Sequence, residues 1–293
     1  MNIGLMIGGV SIAVSTPPNG QLERILSDRY RHFMRSIGAP GCWLTFRPVA
    51  APFGVSSTSP VIDADGDTLS VRHALFEGEF TVGGRGTIDV VSSVAAVDSA
   101  LETVVAANGP RASTLLLHAA AVVSRGRGHL LLGRGSRGAA GAAKRTKRPV
   151  LGEASVALEI DDSRCLVHST PFGADSFRSA SVAPLLVAWM GSPVEPDVAE
   201  PVSAAQAAGW VLEHAALPTR SASAMTAAFD VAAQVGGHGG AAARVALGRD
   251  TSWDRLDELG AAVGYRRVLE IEQPMLRAGL LHGLEPPGLE ADE

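Results

Sequence analysis

Residues 130–140 read LLLGRGSRGAA, Leu130 through Ala140, and the reading of this stretch decides the fold. An apolar, strand-like run from His129 to Leu132 leads into Gly133, four further residues, Gly138, and then Ala139 and Ala140. That is the layout of a phosphate-binding loop, G-x-x-x-x-G-K-[ST]. In a working loop the backbone N–H groups cradle the phosphates, the Lys reaches the β- and γ-phosphates, and the hydroxyl holds Mg²⁺. Here alanine stands at both side-chain positions. The strand–loop–helix frame is present and its phosphate clamp is missing.

Outward from this loop, the flanking segments read as short, nearly continuous apolar strands, the signature of a sheet buried on both faces. Upstream lie STLLLHAAAVV and a turn at Arg125–Gly128. Downstream come a short basic segment, a strand near Pro149–Leu158, another at Arg164–His168, and SVAPLLVAWMG at 181–191. Pro193–Pro201 reads as a linker. Ser203–Ala216 and Ala222–Gln234 read as helices, Ala243–Leu247 as a strand and Thr251–Val263 as a helix. The glycine run Gly236-Gly237-His238-Gly239-Gly240 reads as a turn, and residues 284–293 as a disordered acidic tail.

Gly109-Pro110 marks a break in character, and the boundary between a β-rich domain at 1–109 and a second domain at 110–283 is placed there. Residues 3–16 read as a β-hairpin turning at Gly8-Gly9. An amphipathic helix opens at Asn19-Gly20, with Leu22, Ile25, Leu26, Tyr30, Phe33, Met34 and Ile37 at three- and four-residue steps, and stops at Gly38 and Pro40. Cys42–Val49 is strand-like. Strands follow through Val61–Val91, with hairpin turns expected at Asp65-Gly66 and Glu77-Gly78. A helix over Val94–Ala107 turns Val97, Leu101, Val104 and Val105 inward. Asp63, Asp65 and Asp67 beside Gly66 superficially resemble a calcium loop, but the glycine comes early and no Glu closes the loop. They read as a polar turn.

The bulk composition narrows the function. The chain has 293 residues, 46% of them hydrophobic, and a formal charge of −5. That balance gives no global reason to expect nucleic acid as a partner. Cys42 and Cys165 lack metal or redox spacing, which predicts a reduced, cytoplasmic setting. The apolar start MNIGLMIGGVSIAV has no basic leader and is broken by glycines, so it reads as strands. No uninterrupted run of about 18 apolar residues occurs, so no membrane span is expected.

The order of these pieces resembles the HPr kinase/phosphorylase superfamily, in particular its shorter bacterial relatives. The matching segments are Leu115-Leu116-Leu117-His118-Ala119, Gly133 to Gly138, Leu151-Gly152-Glu153, and His168-Ser169-Thr170-Pro171-Phe172. The early strand around IGGVSIAV, the helix ending in Tyr30-Arg31-His32-Phe33, and Ala243–Leu247 with Asp250 and Trp253 fit the same pattern. The resemblance implies an α/β fold: a P-loop, HPr-kinase-like core with a mixed β-rich N-terminal domain. It also implies ATP-dependent phosphorylation of a serine on a small protein.

That implied activity fails residue by residue. Ala139 replaces the phosphate-binding Lys and Ala140 the Mg²⁺-binding hydroxyl. The acidic pair of the next strand is reduced to Glu153 followed by Ala154, and the segment between Gly138 and that acid is about three residues short, nearly one helical turn. Lys144 and Lys147 are the only lysines in the chain. Lys144 sits five residues beyond Ala139, about 7.5 Å further along a helix, too far to reach back to a β-phosphate. Each lost charge-stabilising donor costs about 10²–10³ in rate.

The degenerate phosphate loop is therefore Gly133, Arg134, Arg137, Gly138, Ala139 and Ala140, in which the two arginines still suit an anion. His118 and Glu153 are vestigial catalytic candidates, and His118 reads equally as a core histidine. The basic run Arg125–Arg148 supplies Lys144, Arg145, Lys147 and Arg148 as candidates for partner binding. His168, at a turn expected near the mouth of the cleft, joins them. No metal and no cofactor are expected. The expected function is that of a degenerate kinase homologue acting as a scaffold or adaptor for a protein or peptide partner, within a homo- or hetero-oligomer. Two alternatives stand beside it: an active ATP- and Mg²⁺-dependent protein or peptide kinase with an unorthodox loop, and a purely structural subunit.

Overall fold

The computed structural model describes residues 1–50, 52–54, 59–161, 164–172, 181–192, 198–218, 222–235 and 241–263. The glycine run at 236–240, most of the 193–201 linker and the acidic tail lie outside them. The fold is mixed α/β and rich in β-structure. Among the described residues, no helix is long and apolar enough to cross a membrane.

The first half builds a seven-stranded sheet in the order β1-β2-β3-β7-β6-β5-β4. The strands are β1 (Asn2–Ile7), β2 (Val10–Ser15), β3 (Cys42–Val49), β4 (Val61–Asp65), β5 (Thr68–His73), β6 (Phe76–Thr81) and β7 (Arg85–Val91). Helix α1 (Gly20–Tyr30) connects β2 to the parallel strand β3, and α2 (Val94–Asn108) follows β7. Both helices cover one face, where Leu22, Leu26, Val97 and Leu101 pack with Ile12, Leu44, Phe46 and Ile88. The Asn19 side chain caps α1 by accepting from the Gln21 and Leu22 amides at 3.2 and 2.9 Å.

Two local expectations are corrected. Helix α1 ends at Tyr30 and not at Ile37, because the backbone beyond it is committed to the sheet. Met6 N donates to Phe33 O at 2.8 Å and Arg35 N to Gly4 O at 2.9 Å, which covers the otherwise open edge of β1. Glu77-Gly78 is no turn but lies inside β6. Gly78 is required there because a Cβ would stand 2.2 Å from Thr87 O on the neighbouring strand. The β4–β5 turn itself falls at Gly66-Asp67, and two of the three aspartates around it are engaged by arginines: Asp63 with Arg72 at 2.9 Å and Asp67 with Arg111 at 2.6 Å.

A 3₁₀ turn at Gly109–Ala112 leads into the second sheet, whose described strands all follow it. Its main order is β11-β9-β10-β14-β13-β12-β8. The ranges are β8 (Thr114–Leu117), β9 (Ala120–Ser124), β10 (Arg127–Gly133), β11 (Val150–Gly152), β12 (Val156–Asp161), β13 (Arg164–Ser169) and β14 (Val182–Gly191). The strand expected near Pro149–Leu158 is therefore two, since β11 pairs with β9 while β12 pairs with β13 and β8. The first part of β14 is antiparallel to β13. Its second part runs parallel to β10 and to β16 (Ala241–Val245), which also takes the short β15 (Glu200–Pro201).

Helices α4 (Ala204–Glu213) and α5 (Ala222–Val235) cover one face of this sheet. Helix α3 (Ser136–Arg145) and a helix at 253–263, α6, cover the other. Burial on both faces accounts for the unbroken apolar runs of β8, β9 and β10. The two halves meet where the β1–β2 turn rests on β8 and β12. Gly8 O accepts from Thr114 Oγ1 at 2.7 Å, and a Cβ on Gly8 would stand 2.1 Å from Ala157 Cβ.

Candidate functional site

Strand β10 delivers the chain to the loop, and the loop is almost absent. Of the four residues between Gly133 and Gly138, Ser136 and Arg137 already belong to α3. Only Arg134 and Gly135 are left to turn the chain, with Gly133 and Gly135 at φ +70 and +86. The turn is held tightly from both sides. A Cβ on Gly135 would lie 2.1 Å from Leu247 O, and one on Gly191, at the end of β14, would lie 1.8 Å from Arg134 O. Two residues so enclosed do not form the arch of amides that surrounds a phosphate chain.

The two alanines at the positions expected for the clamp are core residues. Ala139 and Ala140 are fully buried and pack with Val122, Leu131, Trp189 and Trp253. Trp253 Nε1 donates to Ala139 O at 3.0 Å, fastening α6 to α3. The side chain at position 139 thus points into apolar packing and not toward a ligand.

Beside the N-terminus of α3 lies a cleft of ≈ 340 Å³ lined by His118, Ser136, Arg137, Glu153, Glu102 and Ser155. The structure brings together the three separately noted residues His118, Arg137 and Glu153. His118 is exposed here and not a core histidine; its amide donates to His214 O at 2.8 Å. Partial burial, reinforced by neighbouring His214, lowers its imidazole below the ordinary range. Glu153 is taken by Lys144, whose Nζ stands 2.8 Å from Oε1.

Sequence reasoning missed Glu102. It reaches this cleft from α2, in the other half of the molecule, and also lines an adjoining cavity of ≈ 390 Å³ that shares His118. Burial raises its carboxyl above the ordinary range, with the nearby Ser155 hydroxyl acting the other way and the charge of Asp98 adding to the rise. The available signal was the spacing of Asp98 and Glu102, two like charges one helical turn apart on an otherwise apolar helix.

Half of the basic run is spent within the molecule. Arg148 binds Asp254 at 2.6 Å, approaches Asp257 at 3.5 Å and lies 5.9 Å from the Trp253 ring centroid. Arg145 donates to Arg249 O, and Arg125 approaches Asp257 at 3.7 Å. Arg134, Arg137 and Lys147 are exposed. His168 is not at the mouth of this cleft and not in a turn. It sits in β13 with Nε2 at 2.6 Å from Glu159 Oε2, lining a separate ≈ 280 Å³ cavity with Gly8, Gly9 and Arg35.

A second group also escaped the sequence reading. His129 is fully buried; its Nδ1 accepts from Trp189 Nε1 at 3.0 Å, and its Nε2 lies 3.3 Å from Asp257 Oδ1. Asp257 accepts from Ser124 Oγ at 2.7 Å. Burial drives the His129 imidazole down to about 4 against the pull of Asp257, so it is neutral at physiological pH. With Nδ1 accepting, the proton belongs on Nε2 and faces the carboxylate. This network ties α6 to β9 and β10 from beneath. Among the described residues, no group of three or more His, Cys, Asp or Glu side chains is arranged to hold a metal ion.

No family model matches the chain, and no match to it was found among curated proteins.

Proposed function

We propose that this protein is a catalytically degenerate relative of the HPr kinase/phosphorylase superfamily, with a P-loop-derived core, and that it acts in the cytoplasm as a scaffold or adaptor for a protein or peptide partner. The fold assignment draws on the parallel strands β10, β14 and β16, with α3 following β10 through a glycine turn. One observation carries the loss of catalysis: α3 starts at Ser136, so Ala139 and Ala140 are core residues of that helix and the turn before it is closed. Phosphoryl transfer rests almost entirely on positioning and on charge stabilisation by a metal and a cationic clamp. Neither fits a turn of two residues.

The second reading, an active protein or peptide kinase, draws on the shared cleft of His118, Arg137 and Glu153. It ranks lower because Lys144 already neutralises Glu153, and one carboxylate without the loop hydroxyl is a poor Mg²⁺ site.

Calorimetric titration of the purified chain with ATP, with and without Mg²⁺, separates the two. The adaptor reading expects no heat of binding up to millimolar ATP. Micromolar, Mg²⁺-dependent binding would replace it with the kinase reading.

A further inference from the structure

The outer face of the N-terminal sheet, turned away from α1 and α2, forms a groove of ≈ 1040 Å³. On its floor β3 and β7 run parallel and in register, pairing Trp43 with Arg85, Thr45 with Thr87 and Arg47 with Asp89. Residues 35–40 form a wall along one side. They approach the sheet closely because Gly4 has no side chain: a Cβ there would stand 2.5 Å from Arg35 O and 2.9 Å from Ile37 Cγ1.

The face combines an apolar anchor with uncompensated positive charge. Trp43 is 50% exposed, and the Arg85 guanidinium lies 6.0 Å from its ring centroid. Ile37 and Pro40 line the same groove. Arg47 is neutralised by its two-pronged contact with Asp89, at 2.5 and 2.8 Å. Arg85 and Arg35, by contrast, have no carboxylate within ion-pair distance among the described residues, while Glu79 contributes the acid of the groove lining. On a chain of net charge −5 this is a local excess of cation. Tryptophan and arginine are also among the residue types enriched at the energetic centres of protein interfaces.

We propose that this groove docks a short, extended, acidic segment of a partner protein, with an apolar side chain on Trp43 and carboxylates at Arg85 and Arg35. The inference rests on the protein-partner reading above and gives it a place and a chemistry. The groove suits a peptide better than a nucleic acid strand. Successive phosphates and bases call for a track of cations and several stacking rings, whereas here one ring, Arg85, and Arg35, whose Nη1 also donates to the His32 and Met34 carbonyls, share the groove with Glu79.

The test is fluorescence anisotropy on the full chain with three labelled probes: an octapeptide alternating Glu and Leu, its Lys–Leu counterpart, and an oligothymidylate. The Glu–Leu peptide is expected to bind and the Lys–Leu peptide not. Arg85→Glu and Trp43→Ala should each weaken binding about tenfold or more. Both side chains are exposed, and circular dichroism checks that the variants fold. Absence of Glu–Leu binding, equal binding of both peptides, indifference to Arg85→Glu, or preferential binding of oligothymidylate would each overturn the proposal. The ATP titration keeps the two inferences apart. If neither ATP nor peptide binds, the docking surface falls and the emptied loop stands. If Mg²⁺-ATP binds and peptide binding depends on Arg85, the reverse holds.

Discussion

Lys144 Nζ and Glu153 Oε1 stand 2.8 Å apart, so the first lysine after the loop and the lone acid after β11 neutralise one another. In a working enzyme such a pair of charges would be divided between phosphate and metal. Here the pair closes one flank of the cleft, with the two side chains 41% and 27% exposed.

A pair so open to solvent contributes little. Lys144→Met is expected to lower stability by less than about 1 kcal/mol and, on the adaptor reading, to bind ATP no better and no worse than wild type. Urea unfolding and calorimetry on the same variant check both. Should wild type bind ATP and Lys144→Met lose it, the lysine would be a clamp and not a strut.

Placing a lysine at position 139 should do harm. Ala139→Lys, alone or with Ala140→Ser, places an amine among Leu131, Val187 and Trp253, where Ala139 is fully buried. The added volume and an unpaired buried charge together are expected to cost at least about 3 kcal/mol, read as a fall in the urea midpoint. The expectation is wrong if the double variant keeps wild-type stability and gains Mg²⁺-dependent ATP binding.

The thiols give a direct check on the two cores. Burial alone pushes Cys42 up to about 11 and Cys165 up to about 12. Reactivity follows the thiolate, so at pH 8 neither should react with Ellman's reagent in the native protein, and both should react at once in 6 M guanidinium (a concentration well beyond the unfolding of ordinary domains, about 5 M marking unusual stability). Rapid modification of a native thiol would mean that strand β3 or β13 is more open than described.

The strand and helix pattern was largely legible because each half of the chain pairs apolar periodicity with glycine punctuation. Leu115–Leu117 and Leu130–Leu132 announced a sheet buried on two faces, and the structure buries all six. The errors share one cause. The periodic run through Met34 and Ile37 looked helical, but its backbone serves the edge of β1. Gly78 looked like a turn, but it makes room for Thr87. Both outcomes depend on a neighbouring strand that local sequence does not reveal. The candidate site was legible as chemistry and not as geometry. The alanines at 139 and 140 could be read directly, whereas Glu102, His129 and Asp257 meet their partners across 16 to 133 positions of chain, and spacing carries no trace of that. His168 was misplaced for the same reason: strand pairing set it opposite Ala157, within reach of Glu159 two residues along β12.

Burial of His129, only partly offset by Asp257, should make stability fall with acid. A folded His129 takes up its proton near pH 4, while an unfolded imidazole does so near 6.5. Between those values the unfolded chain binds more protons, so stability rises with pH across the window. The full contribution is present above about pH 6.5 and is lost progressively toward pH 4, a displacement worth on the order of 3 kcal/mol. His129→Gln retains an acceptor for the Trp189 N–H and cannot titrate. It should therefore flatten the acid limb of a urea-midpoint profile taken between pH 7 and 4, even if it lowers stability at pH 7. Other groups also titrate in that range, so the informative quantity is the difference between the two slopes. Parallel acid limbs would show that His129 is already protonated in the folded state, paired with Asp257 as an ion and not held neutral by burial.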